Sequence, residues 1–302
     1  MQIALKVDVD TYRGTLEGVP ALGAELAGRG IAASFYFSLG PDHTGWALRR
    51  VFRKGFLSKV RRTSVVSHYG LRTLTYGVLW PGPHIARRAP EVLRATRAAG
   101  HETGIHCYDH VYWQDNVATR DRAWTERQVE RAALAYREVF GAAAKAHCAA
   151  GWQLNRHLFA LEDALGLDYA SDTRGTHPFL PVMGEVSGAC PQLPTTLPTL
   201  DELVGVDGLG VEGAIDRILD LTAAPPAAGA HVFTLHAELE GQQFRAPFLR
   251  LIDTWRRRGV ELVTLGRLAA GLDWPRLPRH AVAMGEIEGR SGTLALQGAR
   301  TA

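Results

Sequence analysis

Residues 2 to 40, "QIALKVDVDTYRGTLEGVPALGAELAGRGIAASFYFSLG", decide the fold class. Ile3, Leu5 and Val7 alternate with other residues at the start of this stretch, which is typical of a β-strand. "GVPALGAELAGRG" predicts a helix, because Pro20 lies near its first turn and glycines end it. "IAASFYFSLG" predicts a second strand. This order of strand, helix and strand predicts parallel strands joined by a right-handed crossover.

The rest of the chain repeats this alternation. About seven or eight strands alternate with helices, which predicts an α/β fold built as a distorted or incomplete (β/α) barrel. One of the predicted strands is "GACPQLPTT", residues 188–196. The barrel domain is expected to span residues 1–274, with an insertion at 43–90 after the second strand. Residues 275–302 lose periodicity and are predicted to be a loose C-terminal tail.

The composition is that of a folded, non-secreted protein. The 302 residues are 46% hydrophobic and 22% charged, and no apolar run approaches the roughly 20 residues of a membrane span. The first residues lack the basic and apolar regions of a signal peptide. Cys107, Cys148 and Cys190 form no C-x-x-C pair, which argues against a disulfide framework or a cysteine zinc site. A cytoplasmic location is therefore expected.

The insertion at 43–90 is strongly basic. It holds ten Lys and Arg residues and no Asp or Glu, although the whole chain carries a net charge of only +3. Residues 46–62 place most apolar and cationic side chains on opposite halves of a predicted amphipathic helix, although Arg49, Lys59 and Arg62 lie near the boundary. Tyr76 and Trp80 follow it. An anionic partner such as a membrane is one interpretation; a core helix with a solvated cationic face is the other.

Titratable residues follow four of the predicted strands. Because the carboxyl ends of barrel strands meet on one rim, these side chains are expected to lie close together. Two histidines four residues apart, with an aspartate nearby, are a pattern that can hold zinc or a related divalent metal. The residues concerned are Asp8 and Asp10, His106 and His110, Asp172 and Arg174, and His236 and Glu238.

In these motifs the sequence resembles the polysaccharide deacetylase, or NodB-homology, family. The resemblance rests on the acidic pair "DVD" at 8–10, on "HCYDH" at 106–110 and on Leu235-His236, and it covers residues 2 to about 270. "SFYFSLGPD", "AAGW", "SDTRG" and "HAELEG" are similar to a subgroup that deformylates 4-deoxy-4-formamido-L-arabinose carried on undecaprenyl phosphate. That substrate would bring the protein to the cytoplasmic leaflet of the inner membrane, and it favours the membrane interpretation of the basic insertion.

The resemblance implies a role for each motif residue. Asp10, His106 and His110 would hold a divalent metal, either Zn or Mn, Co, Ni or Fe, whereas Asp8 would be the general base and His236 the general acid. Many family members carry an arginine in a middle motif, where this chain has "CAAGWQ". Arg174 is a candidate replacement for that charge. Further candidates for supporting or substrate-binding roles are Asp172, Glu238, His101 and Trp80.

Two other functions remain open from the sequence. One is deacetylation of another N-acylated sugar by the same metal site, against which the missing export signal argues. The other is a non-catalytic binding protein, which could take nucleic acid through the basic insertion. The intact set of base, acid and ligands argues against that reading, and no nucleic-acid partner is expected.

Overall fold

The computed structural model describes residues 1–47 and 72–301, and at its centre is a curled sheet of seven parallel strands. The strands of the described chain are β1 Gln2–Val9, β2 Ser34–Ser38, β3 Glu102–Cys107, β4 Ala146–His147, β5 Tyr169–Ala170, β6 Leu180–Met183, β7 Val186–Ser187, β8 Ala230–His236, β9 Glu261–Val263, β10 Arg279–Gly285 and β11 Leu294–Arg300.

Helices follow most of the central strands. Within residues 1–47 and 72–301, the α-helices are α1 Val19–Ala27, α2 Ile85–Arg88, α3 Pro90–Ala98, α4 His110–Asn116, α5 Arg122–Phe140, α6 His157–Leu165, α7 Leu200–Leu203, α8 Val211–Leu221, α9 Arg245–Arg257 and α10 Leu265–Ala270. Two π-helical turns, Gly14–Gly18 and Leu239–Gln243, follow β1 and β8. Alternating strands and helices of this kind confirm the predicted α/β class.

The barrel is incomplete, as predicted. The strand order is β5-β4-β3-β2-β1-β8, and β9 pairs with the first residues of β1. An irregular segment lies between the edge strands β5 and β8. Within it, Leu193 donates its N–H to the carbonyl oxygen of Ala170 in β5, and Thr196 donates its N–H to the carbonyl oxygen of Val232 in β8. The prediction of a regular strand at 188–196 is wrong for this segment. Pro191 and Pro194 have no N–H to give to a strand ladder.

The two faces of β1 have different chemistry. Ile3, Leu5 and Val7 point to the outer helices and join the main hydrophobic core. Lys6 and Asp8 alternate with them, and a strand turns alternate side chains to opposite faces, so both point to the inside of the curled sheet. The inner face therefore carries charged groups although β1 is buried almost throughout.

A second, smaller sheet lies beside the first. Its order is β11-β10-β6-β7, with β10 antiparallel to β11 and parallel to β6. The prediction of a loose tail at 275–302 is wrong, because β10 and β11 form a hairpin here. Val282 and Ala295 of this hairpin are buried in a core cluster with Phe159 and Phe179. Pairing with the distant β6 is a contact that local periodicity does not reveal.

The described part of the basic insertion consists of its two ends. Of the amphipathic helix predicted for 46–62, residues 48–62 lie outside the described residues. Residues 73–83, in the second of these ends, pack against the chain at residues 42–45. Gly45 donates its N–H to the carbonyl oxygen of Tyr76, and Asp42 donates its N–H to the carbonyl oxygen of Pro83. Among the described helices, none has both the length and the apolarity that crossing a membrane requires.

Candidate metal centre and active site

Three candidate ligands meet at the carboxyl ends of β1 and β3. Asp10 directly follows β1, His106 lies in β3, and His110 is the first residue of α4. The i, i+4 spacing of the histidines therefore spans a strand-to-helix turn rather than one helical turn. Asp109 caps α4 by accepting the Tyr112 N–H at 3.1 Å. This cap fixes the start of the helix and so the direction of His110.

The ligand atoms converge on one point. The Nε2 atoms of His106 and His110 each lie 3.2 Å from Oδ1 of Asp10. Within the described part of the chain, this buried Oδ1 has no hydrogen-bond partner. Burial raises the pKa of Asp10, but His110 and His106 outweigh burial and lower that pKa well below its usual range. A buried, ionised oxygen facing two imidazole nitrogens fits a divalent cation.

His106 is held in the tautomer that a metal ligand needs. Its Nδ1 lies 2.9 Å from the carbonyl oxygen of Cys148, an atom that can only accept a hydrogen bond. Nδ1 therefore donates to this carbonyl oxygen, and Nε2 is the ring nitrogen that faces Asp10.

Asp8 and His236 lie next to each other on neighbouring strands beside these ligands. They are direct register partners between β1 and β8. Asp8 is 3% exposed; its Oδ1 accepts a hydrogen bond from the Cys148 thiol at 3.4 Å. Its Oδ2 lies 3.6 Å from the ammonium group of Lys6. The Asp8 carboxylate is thus held at both oxygens.

His236 is suited to donate a proton. Burial lowers its pKa, but the carboxylates of Asp201, Asp10 and Glu240 together raise it to about 9. The Nδ1 of His236 lies 3.8 Å from Oδ1 of Asp201. The His236 imidazole is therefore protonated at neutral pH.

Glu238 supports Asp10 through the backbone. Its Oε1 accepts the N–H of Asp10 at 3.1 Å, and both the N–H and the hydroxyl of Thr11 at 2.8 Å. Burial and the nearby Asp10 raise the pKa of Glu238 to about 8. A Cβ at Gly14 would collide with this carboxylate, which explains the glycine at that position. Glu238 thus fixes the turn that carries the aspartate ligand.

The other predicted residues lie outside this centre. Asp172 accepts hydrogen bonds from Nδ1 of His147 at 2.9 Å and from the N–H of Ala149, one layer behind the site. His101 lies at the opposite end of β3, where its Nδ1 accepts the Ala33 N–H. Trp80 is 67% exposed.

Arg174 does not replace the missing arginine of the middle motif. Its Nη1 binds both carboxylate oxygens of Glu202, at 2.7 and 2.8 Å. Among the contacts of the described residues, none joins Arg174 to Asp8; the cation beside Asp8 is Lys6. The alternation of β1 could have shown that Lys6 and Asp8 share a face, but not that the lysine is buried.

The C-terminal hairpin adds a cation that the sequence did not reveal. Arg290, in the turn between β10 and β11, lies over the ring of Trp152 at 4.5 Å and 3.3 Å from Glu202. Arg174 lies over the same ring at 5.0 Å, and Lys6 at 5.2 Å. The hairpin therefore packs on the same tryptophan that borders Lys6.

Known proteins include relatives that match nearly the whole chain. No family model matches the sequence. A protein of Shewanella sediminis (strain HAW-EB3) is 34% identical over 298 residues, which cover 98% of this chain and 94% of that protein. A protein of Wigglesworthia glossinidia brevipalpis is 27% identical over 94% of this chain and 98% of its own. Both are described as 4-deoxy-4-formamido-L-arabinose-phosphoundecaprenol deformylase ArnD.

Solved structures share the fold. A protein of Mycobacterium smegmatis described as a polysaccharide deacetylase superposes with a TM-score of 0.63 at 19% identity, covering 95% of this chain and 94% of its own. One from Pseudomonas aeruginosa PAO1 has a TM-score of 0.62 at 16% identity, with 89% of each chain covered. The chitin deacetylase of Colletotrichum lindemuthianum has a TM-score of 0.55 at 17% identity, covering 91% of this chain and 90% of its own.

The fold is that of the polysaccharide deacetylase class. Within that class, the chain belongs to the ArnD deformylase family, because the similarity to the Shewanella protein extends over nearly the whole of both chains. The resemblance deduced from the sequence motifs is thereby confirmed.

Proposed function

We propose that this protein removes the formyl group from undecaprenyl-phosphate-linked 4-deoxy-4-formamido-L-arabinose, giving formate and the 4-amino sugar. The observation that carries the proposal is the position of Asp8 and His236, on neighbouring strands beside Asp10, His106 and His110. A base and a protonated acid next to a cation site are what hydrolysis of an unreactive amide requires. The names of the relatives supply the identity of the sugar.

Asp10, His106 and His110 would hold the divalent cation. When bound, such an ion polarises the formyl oxygen and lowers the pKa of a nearby water. The fit rests on the unpaired Oδ1 of Asp10 and on the His106 tautomer. An N and O donor set of this kind suits zinc and several other divalent transition metals equally, so it leaves the metal open.

The protein's own groups move the protons. Asp8 takes one proton from the attacking water, whose oxygen forms a bond to the formyl carbon. His236 gives its proton to the sugar nitrogen as the carbon–nitrogen bond breaks. Proton transfer by positioned groups typically contributes about 10² to 10⁴-fold each. The raised pKa of His236, about 9, keeps this proton available at neutral pH.

The decisive experiment uses a synthetic polyprenyl-phosphate formamido-arabinose. Metal-loaded protein should release formate, and the lipid product should lose the mass of one CO unit. The N-acetyl form of the same lipid, and soluble N-acetyl-sugar oligomers, are the matched comparisons. Faster hydrolysis of an acetyl substrate would favour the alternative, a deacetylase of another N-acylated sugar or oligosaccharide. Hydrolysis of none of them would contradict both.

We propose further that the protein works peripherally on the cytoplasmic leaflet of the inner membrane, where such a lipid substrate is anchored. Large apolar side chains are exposed in two segments: Leu16 lies in the turn after β1, and Val78, Leu79 and Trp80 lie in the insertion. The insertion reaches the site through His43, whose Nδ1 lies 2.5 Å from Asp109, the residue before the ligand His110. The exposed apolar side chains of the insertion, here called the apolar rim, belong to a chain whose neighbouring sequence in the insertion is strongly basic, a combination that suits an anionic lipid surface.

A further inference from the structure

Lys6 is a fully buried cation that the proposed chemistry does not yet use. It is 0% exposed, in the middle of β1, and it points to the inner face of the sheet. A lysine is almost never completely buried unless other groups compensate its charge. The groups that surround the Lys6 ammonium therefore indicate the role of this residue.

Three groups surround the Lys6 ammonium. It donates a hydrogen bond to the carbonyl oxygen of Ser171 at 3.0 Å, lies 3.6 Å from Oδ2 of Asp8, and faces the ring of Trp152 at 5.2 Å. Ser171 and Trp152 are themselves buried, so Lys6 has little freedom to move. Among these groups, only Asp8 carries a compensating negative charge.

We propose that Lys6 is a positioning residue that fixes the carboxylate of Asp8 for proton transfer, a role that rests on the proposed function of Asp8 as the base. Lys6 holds Oδ2 while the Cys148 thiol holds Oδ1, so the plane of the carboxylate is set from two sides. Arg174, bound to Glu202, is not available for this task. The positive charge also compensates a buried carboxylate that would otherwise be costly.

The test removes the positive charge of Lys6 and keeps a side chain of similar length. Lys6→Met should retain bound metal and KM, but lower kcat by about tenfold to a hundredfold, because Asp8 loses its orientation. Lys6→Arg keeps a positive charge and should recover part of kcat. Lys145→Met is the matched control, since the Lys145–Asp168 pair has the same 3.6 Å separation but is largely exposed; it should leave kcat unchanged. A Lys6→Met protein with full metal content and wild-type kcat would overturn the proposal.

A double-mutant cycle on the free energy of unfolding tests the contact between Lys6 and Asp8 without an activity measurement. In the wild-type background, Lys6→Met leaves Asp8 buried without a counter-charge; in an Asp8→Asn background it leaves a neutral amide. Lys6→Met should therefore raise the unfolding equilibrium constant at least tenfold more in the first background than in the second. Equal effects would mean that Lys6 does not act on Asp8. This outcome is independent of the substrate, whereas an inactive wild-type protein would contradict only the proposed function.

Discussion

Two clusters of the molecule have almost the same residue composition but differ in how their potential ligand atoms are hydrogen-bonded. Asp10, His106 and His110 form one; His147, Glu162 and Asp172 form the other, and in each the candidate ligand atoms lie within 4.8 Å of one another. In the first, an Asp10 oxygen has no hydrogen-bond partner among the described residues. In the second, His147, Ala149 and Gln192 supply hydrogen bonds to both oxygens of Asp172. Residue types alone therefore do not make a metal site; unpaired ligand atoms do.

The protonation of the histidines separates the clusters further. Burial lowers the pKa of His147, but Asp172 and Glu162 outweigh burial and raise it to about 10. A protonated imidazole has no lone pair to give to a metal. Burial and the neighbouring Asp172 raise the pKa of Glu162 well above its usual range. In the second cluster, protons on His147 and Glu162 therefore balance the buried charge, a role that a divalent metal ion would have in the first.

The largest expected effect comes from removing a ligand of the first cluster. His106→Ala or His110→Ala should abolish tightly bound divalent metal and with it hydrolysis, while the fold remains. Metal content by elemental analysis, together with circular dichroism, checks this. Full metal occupancy in either variant would remove that histidine from the ligand set.

Asp8 and His236 should give the next largest effect, on chemistry without loss of metal. Asp8→Asn and His236→Ala are each expected to lower kcat by about 10² to 10⁴-fold. The acid must start protonated, so wild-type activity should fall as pH rises through about 9, where His236 loses its proton. His236→Ala should lack this basic limb, and an unchanged limb would contradict its role as the acid.

The second cluster should affect stability rather than metal binding. His147→Ala removes the cation and leaves two buried carboxyl groups, so we expect a loss of about 3–5 kcal/mol in the free energy of unfolding, with metal per folded molecule unchanged. Because the pKa of His147 is raised to about 10, its contribution is complete below about 6.5 and is lost as pH rises towards 10. Denaturant titrations at pH 7 and 10 should show this loss in the wild type and a smaller one in the variant. Loss of metal from a folded variant would contradict the comparison.

The sequence predicted one cluster and not the other for a physical reason. Strand ends in a parallel barrel converge, so Asp10, His106 and His236 could be placed together from alternation and turn positions alone. The partners of His147 depend on packing between α6 and the turn after β5, which no local pattern encodes. The C-terminal hairpin was missed in the same way, since its first strand pairs with the distant β6.

The smallest effect is expected at the apolar rim, the exposed apolar side chains of the insertion. Leu79 and Trp80 are 71% and 67% exposed, and inserting such side chains into a lipid surface is worth roughly 1–2 kcal/mol for each. Leu79→Gln with Trp80→Gln should therefore weaken binding to anionic vesicles by about thirtyfold or more and raise KM for the long polyprenyl substrate more than for a short-chain analogue. Leu134→Gln is the matched control, because Leu134 is 59% exposed but lies in the middle of α5, away from the strand-end turns. Equal vesicle binding by the two variants would mean that the rim does not contact lipid. Loss of binding with an unchanged KM would mean that the rim anchors the protein without guiding the substrate to Asp10 and its histidines.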